Sequence, residues 1–456
     1  MKPINEPYKQ TFLQLLKWIN TPADFLEEST QRYGEDYTVE FPGKNVITFL
    51  SNPKSIEDIL TTPRETFDFE RGVEVFGPLV RKHSLMRLDI ASHKRHRQLI
   101  MPALHGDRMR FYGRLICELT EKMMQKWKVG TTFNLKNCIH QVTLNVLLEV
   151  VIGFTKDERS QKLRRASLSL IEIANSQSFG FHMFLPFLQI DLGPWSLWGR
   201  FLRLQKEFEE LLYPEIAQRL QQPDSDRTDI LTMLLTAKDE QGESMSKEEL
   251  CDEVITLLLT GYDTTTMTLL WAFYWLHKTP EVLERLIAEI DSVSDPLDTK
   301  TITQLPYLTA TIQETMRINP AILVGAPRVL ATSTNIRGYK FAAGAEIWPS
   351  IYSAQRRQEV YSEPEKFKPE RFLGRQYSPY EFLPFGGGHR FCVGNVFAQY
   401  QIKLVLFTIL SNYELALTDS YPVRRVRRGP GVQPAKPLRM KVTACHRRQT
   451  NVPVLV

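Results

Sequence analysis

The spacing of apolar residues changes character along the chain. Over residues 10–33 they recur at helical intervals, as Phe12, Leu15, Leu16 and Ile19, then Phe25 and Leu26. Thr21-Pro22 interrupts the run, so two helices are predicted. Over residues 36–50 the pattern turns strand-like. Tyr37–Phe41 and Val46–Leu50 flank Pro42-Gly43-Lys44, a hairpin signal. Ser51-Asn52-Pro53 opens a further helix. Residues 70–92 show little periodicity and read as a loop holding Val73, Val75, Phe76, Leu79, Leu85 and Met86. His93-Lys94-Arg95-His96-Arg97 begins the next helix. From 111 to 240 apolar residues recur at three and four, as in Leu144, Leu147, Leu148 and Val151, and the region reads as almost entirely helical.

One run inside that region is unusual. Residues 179–188 include Phe179, Phe181, Phe184, Phe187 and Leu188, and Trp195 and Trp198 follow. The run reads either as buried packing or as an apolar lid over a lipid-like substrate, close to a membrane. Pro186 and His182 make it too short and irregular to span one.

Ser246-Lys247-Glu248-Glu249 is a capping box. It starts the longest apolar segment, Val254 to Leu276. Six threonines and Asp263 in that segment argue for a helix crossing a large core rather than a bilayer. Thr279-Pro280 starts another helix, and Val396 to Leu410 is helical in pattern. Pro320 to Arg328 leaves a helix and becomes extended. Strand-like pieces follow, with turns at Gly338-Tyr339, Ala343-Gly344 and within Arg428 to Pro434. The expectation is a mainly α protein, one domain over 1–456, with a small β-rich subdomain around 36–68 and 326–355. Residues 447–456 are expected to be a flexible tail.

Composition narrows the class. A hydrophobic fraction of 43% is enough for a large core. The five cysteines contain no CxxC pair, which argues against a disulfide framework and for a reducing compartment. Met1 to Lys17 has neither a signal-peptide core nor a 20-residue apolar anchor, so a soluble, cytoplasmic chain is expected. The net charge is +5, yet residues 420–456 hold nine Lys/Arg and no Asp/Glu. That segment is either a basic patch for an acidic partner or a solvated edge.

The candidate chemistry centres on Phe385-Gly386-Gly387-Gly388-His389-Arg390-Phe391-Cys392-Val393-Gly394. A cysteine lies among glycines just before a helix. Glycines let the backbone approach a flat ligand and turn several N–H groups toward one sulfur. A helix N-terminus and amide donors stabilise a thiolate. A thiolate is the ligand that lets haem iron favour O–O cleavage. Arg390 lies within reach of a haem propionate. In the middle of the apolar helix stands Thr260-Gly261-Tyr262-Asp263-Thr264. Gly261 leaves room for a ligand against the backbone. Asp263 is an acid in apolar surroundings, costly unless paired or hydrated. Thr264 offers a hydroxyl to a water or to dioxygen, so the pair reads as a proton relay. Back-bonding of Thr264 to its own helix is the plain alternative, and it leaves the acid unexplained. Glu314 and Arg317 have the spacing of a local helix pair.

Together these residues resemble the cytochrome P450 family. Phe385, Gly388, Arg390, Cys392 and Gly394 match its FxxGxRxCxG signature. Gly261, Asp263 and Thr264 match its (A/G)GxDT motif. Glu314 and Arg317 match ExxR, and Phe367 to Phe372 covers the PERF position. His93 stands where the family's WxxxR has tryptophan, with Arg97 at the other end. The resemblance spans roughly residues 15–446. It implies the P450 fold and haem b (iron protoporphyrin IX), with Cys392 as the iron ligand. Phe385 and Gly394 frame the cofactor, and His93, Arg97, Arg328 and Arg390 neutralise its propionates. Gln355 replaces a histidine common near a propionate. Asp263 and Thr264 are the implied catalytic pair. Leu85, Met86, Phe181, Thr260, Gly261, Ile322, Val324 and Gly431 match positions lining the substrate pocket. Glu314, Arg317 and Arg371 form an implied structural charge cluster.

The implied activity is insertion of one dioxygen atom into a C–H bond of an apolar small molecule. The overall pattern resembles a cyanobacterial group that acts on fatty acids and sometimes terpenes or alkanes. A fatty acid is the leading reading, with a terpene or alkane as the alternative. A peroxygenase, an isomerase or a haem-binding sensor would not need the acid–alcohol pair. No part of the chain reads as a flavin or iron–sulfur domain, and no GxGxxG is found. Electrons are therefore expected from a ferredoxin-type donor with a separate NAD(P)H reductase. A monomer without nucleic-acid binding and without a transmembrane anchor completes the expectation.

Overall fold

The computed structural model of the protein describes residues 4–42, 46–77, 79–106, 108–222, 227–419 and 423–446. Gly43 and Lys44 of the expected hairpin turn and the expected tail 447–456 lie outside them. Helices dominate the described residues. Phe12–Asn20 and Pro22–Tyr33 meet at Thr21, where the Thr-Pro break falls. Asn52 caps Pro53–Thr61 by accepting from the Lys54 N–H. Tyr37–Glu40 and Val46–Leu50 pair antiparallel as expected. They belong to a six-stranded sheet that also contains Pro7–Lys9, Glu346–Pro349, Arg328–Leu330 and Phe67–Asp68. This sheet joins the two β-rich stretches seen in the sequence. Pro7–Lys9 is too short to show a period of two.

The helical core is built from Arg108–Met124, Leu135–Val151, Asp263–Lys278, Pro306–Ile318 and Asn395–Asn412, which pack on one another. Leu144, Leu147, Leu148 and Val151 are all buried there. Residues 111–240 are less uniformly helical than their pattern suggests. Thr132–Asn134 is a strand, paired antiparallel with Arg439–Lys441. Its conformation comes from a partner three hundred residues away, which no local pattern encodes.

Two further differences bear on function. The apolar segment expected as one helix is two, Lys247–Gly261 and Asp263–Lys278, parted at Tyr262. The Tyr262 hydroxyl bonds His140 Nε2 at 2.8 Å. Residues 70–92, read as a loop, contain the short helical turns Phe69–Gly72 and Glu74–Phe76. The apolar run near 180 is helical over Gln177–Phe184, as the surrounding pattern suggests, and is capped by Ser176 at the Phe179 N–H.

Candidate active site

Cys392 sits in the short connection between a 3-10 turn, Gly388–Arg390, and the helix Asn395–Asn412. Gly386 and Gly388 adopt φ of 71° and 63°, a region costly for other residues. A Cβ on Gly387 would lie 2.6 Å from Leu60 Cδ1, and one on Gly388 would lie 2.8 Å from the Leu60 carbonyl oxygen. The glycines therefore let the loop lie flat on the helix Pro53–Thr61. The Cys392 N–H donates to Phe385 O at 3.1 Å, and Asn395 Nδ2 donates to Cys392 O at 3.0 Å. Cys392 is solvent-accessible, although surrounding protein desolvates its sulfur. Burial pushes its thiol up, while the Gly394 N–H and Arg97 favour the thiolate.

Four nitrogen-bearing side chains surround this loop. Arg97 Nη1 donates to Phe391 O at 2.7 Å. Arg390 donates to the carbonyls of Leu85 and Leu88, and its guanidinium lies 4.2 Å from the Phe69 ring centroid. Arg328 donates to Ala326 O at 3.0 Å and approaches the same ring at 5.7 Å. His93 is buried on the helix Ile90–Ile100. Burial pushes Arg328 down to about 10 and, with the neighbouring Arg328 and Arg64, Arg390 down to about 9. Burial, then Arg390 and Arg97, push His93 down to about 3, leaving a neutral imidazole with one N–H to donate. Among the described residues no salt bridge joins Arg97, Arg328 or Arg390 to a carboxylate. Arg328 is buried and Arg97 and Arg390 are half-buried, and guanidinium groups held by carbonyls and a ring keep N–H groups for an acidic ligand.

The broken helix presents a threonine on each of four successive turns. Thr256, Thr260, Thr264 and Thr268 donate to the carbonyls of Asp252, Thr256, Thr260 and Thr264, at 2.7, 2.7, 3.2 and 3.0 Å. The plain alternative for Thr264 is thus realised. A hydroxyl that donates to a carbonyl still keeps lone pairs to accept with. Asp263 is buried, and its Oδ2 has no hydrogen-bond partner. Burial raises its carboxyl to about 7, against the opposing pull of Lys136 and Arg428.

The family profile described as Cytochrome P450 matches residues 3–442. The chain is 32% identical over 436 residues to cytochrome P450 135B1 of Mycobacterium tuberculosis, covering 92% of this chain and 87% of that one. It is 30% identical over 412 residues to cytochrome P450 137 of the same species, covering 90% and 83%. The chain belongs to the cytochrome P450 family. Among solved structures, retinoic acid-bound cyanobacterial CYP120A1 superposes with a TM-score of 0.80 at 24% identity, over 93% of this chain and 94% of that one. Haem b is the family's cofactor. The residues present fit it, with one thiol in a glycine frame and buried or half-buried donors that form no salt bridge to a carboxylate among the described residues.

Behind the cysteine loop this P450 has a buried charge cluster. Arg317 bonds both oxygens of Glu314, and Arg371 Nε reaches Glu314 Oε1 at 3.1 Å. The Lys368 N–H bonds the same oxygen at 2.8 Å. Arg371 therefore meets Glu314 directly, while Arg317 turns its remaining N–H groups to Gln355 O and Lys366 O. Gln355 has a role that the sequence did not suggest. Its Nε2 donates to Met316 O and Arg317 O at 2.9 and 3.1 Å, and its Oε1 accepts from the Leu383 N–H at 3.0 Å. It ties the end of Pro306–Ile318 to Leu383, at the entry of the cysteine loop.

The expected pocket residues divide. Leu85 is buried beneath Arg390, and Met86, Phe181, Ile322 and Val324 are half-buried. Thr260 is exposed on the face that also bears Thr264. Two of the expected pocket glycines sit close to neighbouring elements. A Cβ on Gly261 would lie 2.8 Å from Leu147 Cδ1, so the missing side chain lets this helix pack against Leu135–Val151. A Cβ on Gly431 would lie 2.4 Å from Met267 Sδ and 2.9 Å from Ala321 O. Gly431 is therefore a close contact between a β-strand and the core helix.

Proposed function

We propose that this P450 hydroxylates an apolar small molecule, with a fatty acid as the leading class. What supports the reading is the apolar character of the side chains that the family resemblance assigns to the pocket, beside a threonine face whose hydroxyls are already engaged. Leu85, Met86, Ile322, Val324 and Phe181 are apolar, and Thr260 and Thr264 have spent their hydroxyl protons on backbone carbonyls. The overall reaction consumes dioxygen, two electrons and two protons. It returns one hydroxyl on carbon and one water. Bound haem b supplies the dioxygen-activating iron.

The chain's own residues do the rest. Cys392 would ligate the iron, with the Gly394 N–H and Arg97 holding the sulfur as thiolate. His93, Arg97, Arg328 and Arg390 would hold the propionates, and Phe385 O fixes the loop backbone. Thr264 would hold a water by accepting its proton-bearing O–H. Asp263 would move protons, since a carboxyl near 7 exchanges them readily at neutral pH.

Electrons come from a redox partner, and we assign a small acidic ferredoxin served by an NAD(P)H reductase. A cleft of about 530 Å³ lined by Arg64, Lys94, Arg97 and His389 opens beside the cysteine loop. Such a basic surface favours an acidic partner. We take the enzyme to work as a cytoplasmic monomer. Its five free, scattered cysteines suit a reducing compartment.

The test is a ligand screen by shift of the haem Soret band, with fatty acids, terpenes, alkanes and an isoprenoid acid side by side. The isoprenoid acid is included because the cyanobacterial neighbour is bound to retinoic acid. Tight shifts confined to fatty acids support the reading. Shifts confined to terpenes or alkanes replace it. Turnover with ferredoxin and dioxygen, set against turnover with peroxide, separates a monooxygenase from a peroxygenase.

A further inference from the structure

The helix Ile90–Ile100 carries His93 and Arg97, and it also carries a histidine that the reading above leaves unused. His96 is wholly buried against the helix Lys247–Gly261. Its Nδ1 lies 2.7 Å from Glu253 Oε1, and its Nε2 lies 3.1 Å from Glu249 Oε1. A neutral imidazole has one N–H and one lone pair. Between two carboxylates, one of its nitrogens would then face an oxygen with no proton in between. The trio fits together when it holds one more proton, on the imidazole or on a carboxyl. Half-buried Glu249 has other support, from Arg95 Nη1 at 3.0 Å and the Ser246 N–H at 2.8 Å. Glu253 is buried, and its Oε2 has no hydrogen-bond partner. Burial opposes a charge on His96, but the bonds to Glu253 and Glu249 outweigh it and hold the imidazolium above the usual histidine range. His93, Lys94, Arg95 and Arg97 stand on the same helix, and Asp252 stands beside Glu253. Met101–Leu104 and Ile230–Thr236, which also pack on Ile90–Ile100, carry no titratable side chain.

The same stretch of Lys247–Gly261 fastens the loop that precedes Ile90–Ile100. Asp252 pairs with Arg81 and accepts from the His83 N–H at 2.9 Å. Thr256 Oγ1 bonds Ser84 Oγ at 2.8 Å. Further along, the carbonyls of Leu85 and Leu88 accept from Arg390. Residues 81–88 are thus a strap between Lys247–Gly261 and Arg390, and Ile90–Ile100 continues it to His93 and Arg97. We propose that His96 and Glu253 are positioning residues whose shared proton seats Ile90–Ile100 and the strap on Lys247–Gly261, and through them fixes His93, Arg97 and Arg390 for the haem. When that proton leaves at alkaline pH, the trio repels and the seat loosens. The effect on haem rests on the proposed role of those three residues at its propionates. The seating itself does not.

The test is hydrogen–deuterium exchange of the holoprotein, read on peptides covering residues 81–100 and corrected for the intrinsic effect of pH. Wild-type protection should fall at least about tenfold between about pH 6 and about pH 9. Glu253→Gln should stay protected at both, because its amide donates to Nδ1 while the neutral imidazole donates from Nε2 to Glu249. His96→Leu should be poorly protected at both, and Glu253→Gln carries the test alone if His96→Leu does not fold. Folding is checked by the reduced CO spectrum. His83 bonds Asp252 rather than Glu253, so a pH effect arising there would survive in Glu253→Gln. Haem transfer to an apo-globin should quicken with pH in wild type and stay constant in Glu253→Gln. Wild-type protection that is flat with pH overturns the proposal, as does a Glu253→Gln variant that loses protection as wild type does. Exchange that follows pH while wild-type haem transfer stays flat also overturns it, since the seat then does not reach the haem. Arg97→Gln and Arg390→Gln test the propionate role separately. If neither speeds haem transfer, that role fails, and the exchange result still decides the seating.

Discussion

Arg317 grips Glu314 through two bonds, 2.6 Å from Nε to Oε2 and 2.9 Å from Nη2 to Oε1, in a site that water does not reach. Arg371 adds a third contact to the same carboxylate. A buried ion pair is poor evidence of net stability, but removing one member strands the other charges. Glu314→Ala and Arg371→Ala should each cost about 3–5 kcal/mol. The loop that carries Cys392 then loses its brace. The expected outcome is apoprotein or unstable holoprotein, measured as haem per chain after purification. Recovery of full haem content in both variants would show that the cluster is dispensable.

Gln355 should matter for the same loop by a different route. Its amide satisfies two carbonyls and one N–H, all buried. Gln355→Leu keeps the volume and strands all three. Each unsatisfied buried group costs about 1–3 kcal/mol. The variant should bind haem but release it faster, as read by transfer to an apo-globin. Gln355→Glu should be worse than Leu at neutral pH, since a carboxylate cannot donate to Met316 O and Arg317 O.

How far the sequence spoke depends on where each contact originates. The hairpin, the capping box at Ser246 and the Thr21-Pro22 break are local, and they fold as their residues dictate. The cysteine loop was legible because its glycines and cysteine are contiguous. Gln355 was not legible in its role, since its partners Met316, Arg317 and Leu383 are local to other elements. Gly261 was ambiguous because a glycine in a helix can admit a ligand or a neighbouring helix. That its missing Cβ points toward Leu147, on another helix, is a tertiary fact.

Asp263 gives a prediction about pH. Burial raises its carboxyl from 3.8 to about 7, with Lys136 and Arg428 pulling the other way. Between those two values the folded protein holds the proton more tightly than the unfolded chain. Stability therefore falls as pH rises through this window, and the penalty is complete above about 7. A shift of three pK units corresponds to about 4 kcal/mol. Asp263→Asn removes the titration. Its stability relative to wild type should improve between about pH 5 and about pH 8, read as the difference in unfolding midpoints. A constant offset across that range would mean that the carboxyl ionises freely in the folded state.

Thr264 carries the last prediction. Its hydroxyl donates to Thr260 O at 3.2 Å, so its oxygen can accept from a water while the proton stays on the helix carbonyl. Thr264→Ala removes that acceptor together with a methyl group. The helix keeps its own ladder, and the variant should bind haem, substrate and carbon monoxide as wild type does. Proton supply should suffer instead. A general acid–base arrangement contributes about 10²–10⁴-fold, so a defect of this kind is measurable. Product formed per NAD(P)H consumed should fall, and hydrogen peroxide should rise in parallel. Thr264→Ser keeps the oxygen and should recover most of the coupling. That recovery separates a chemical role from a packing one, because serine restores the hydroxyl but not the methyl. Wild-type coupling in Thr264→Ala would reduce this face of the helix to scaffold and bring a peroxide-driven reaction forward.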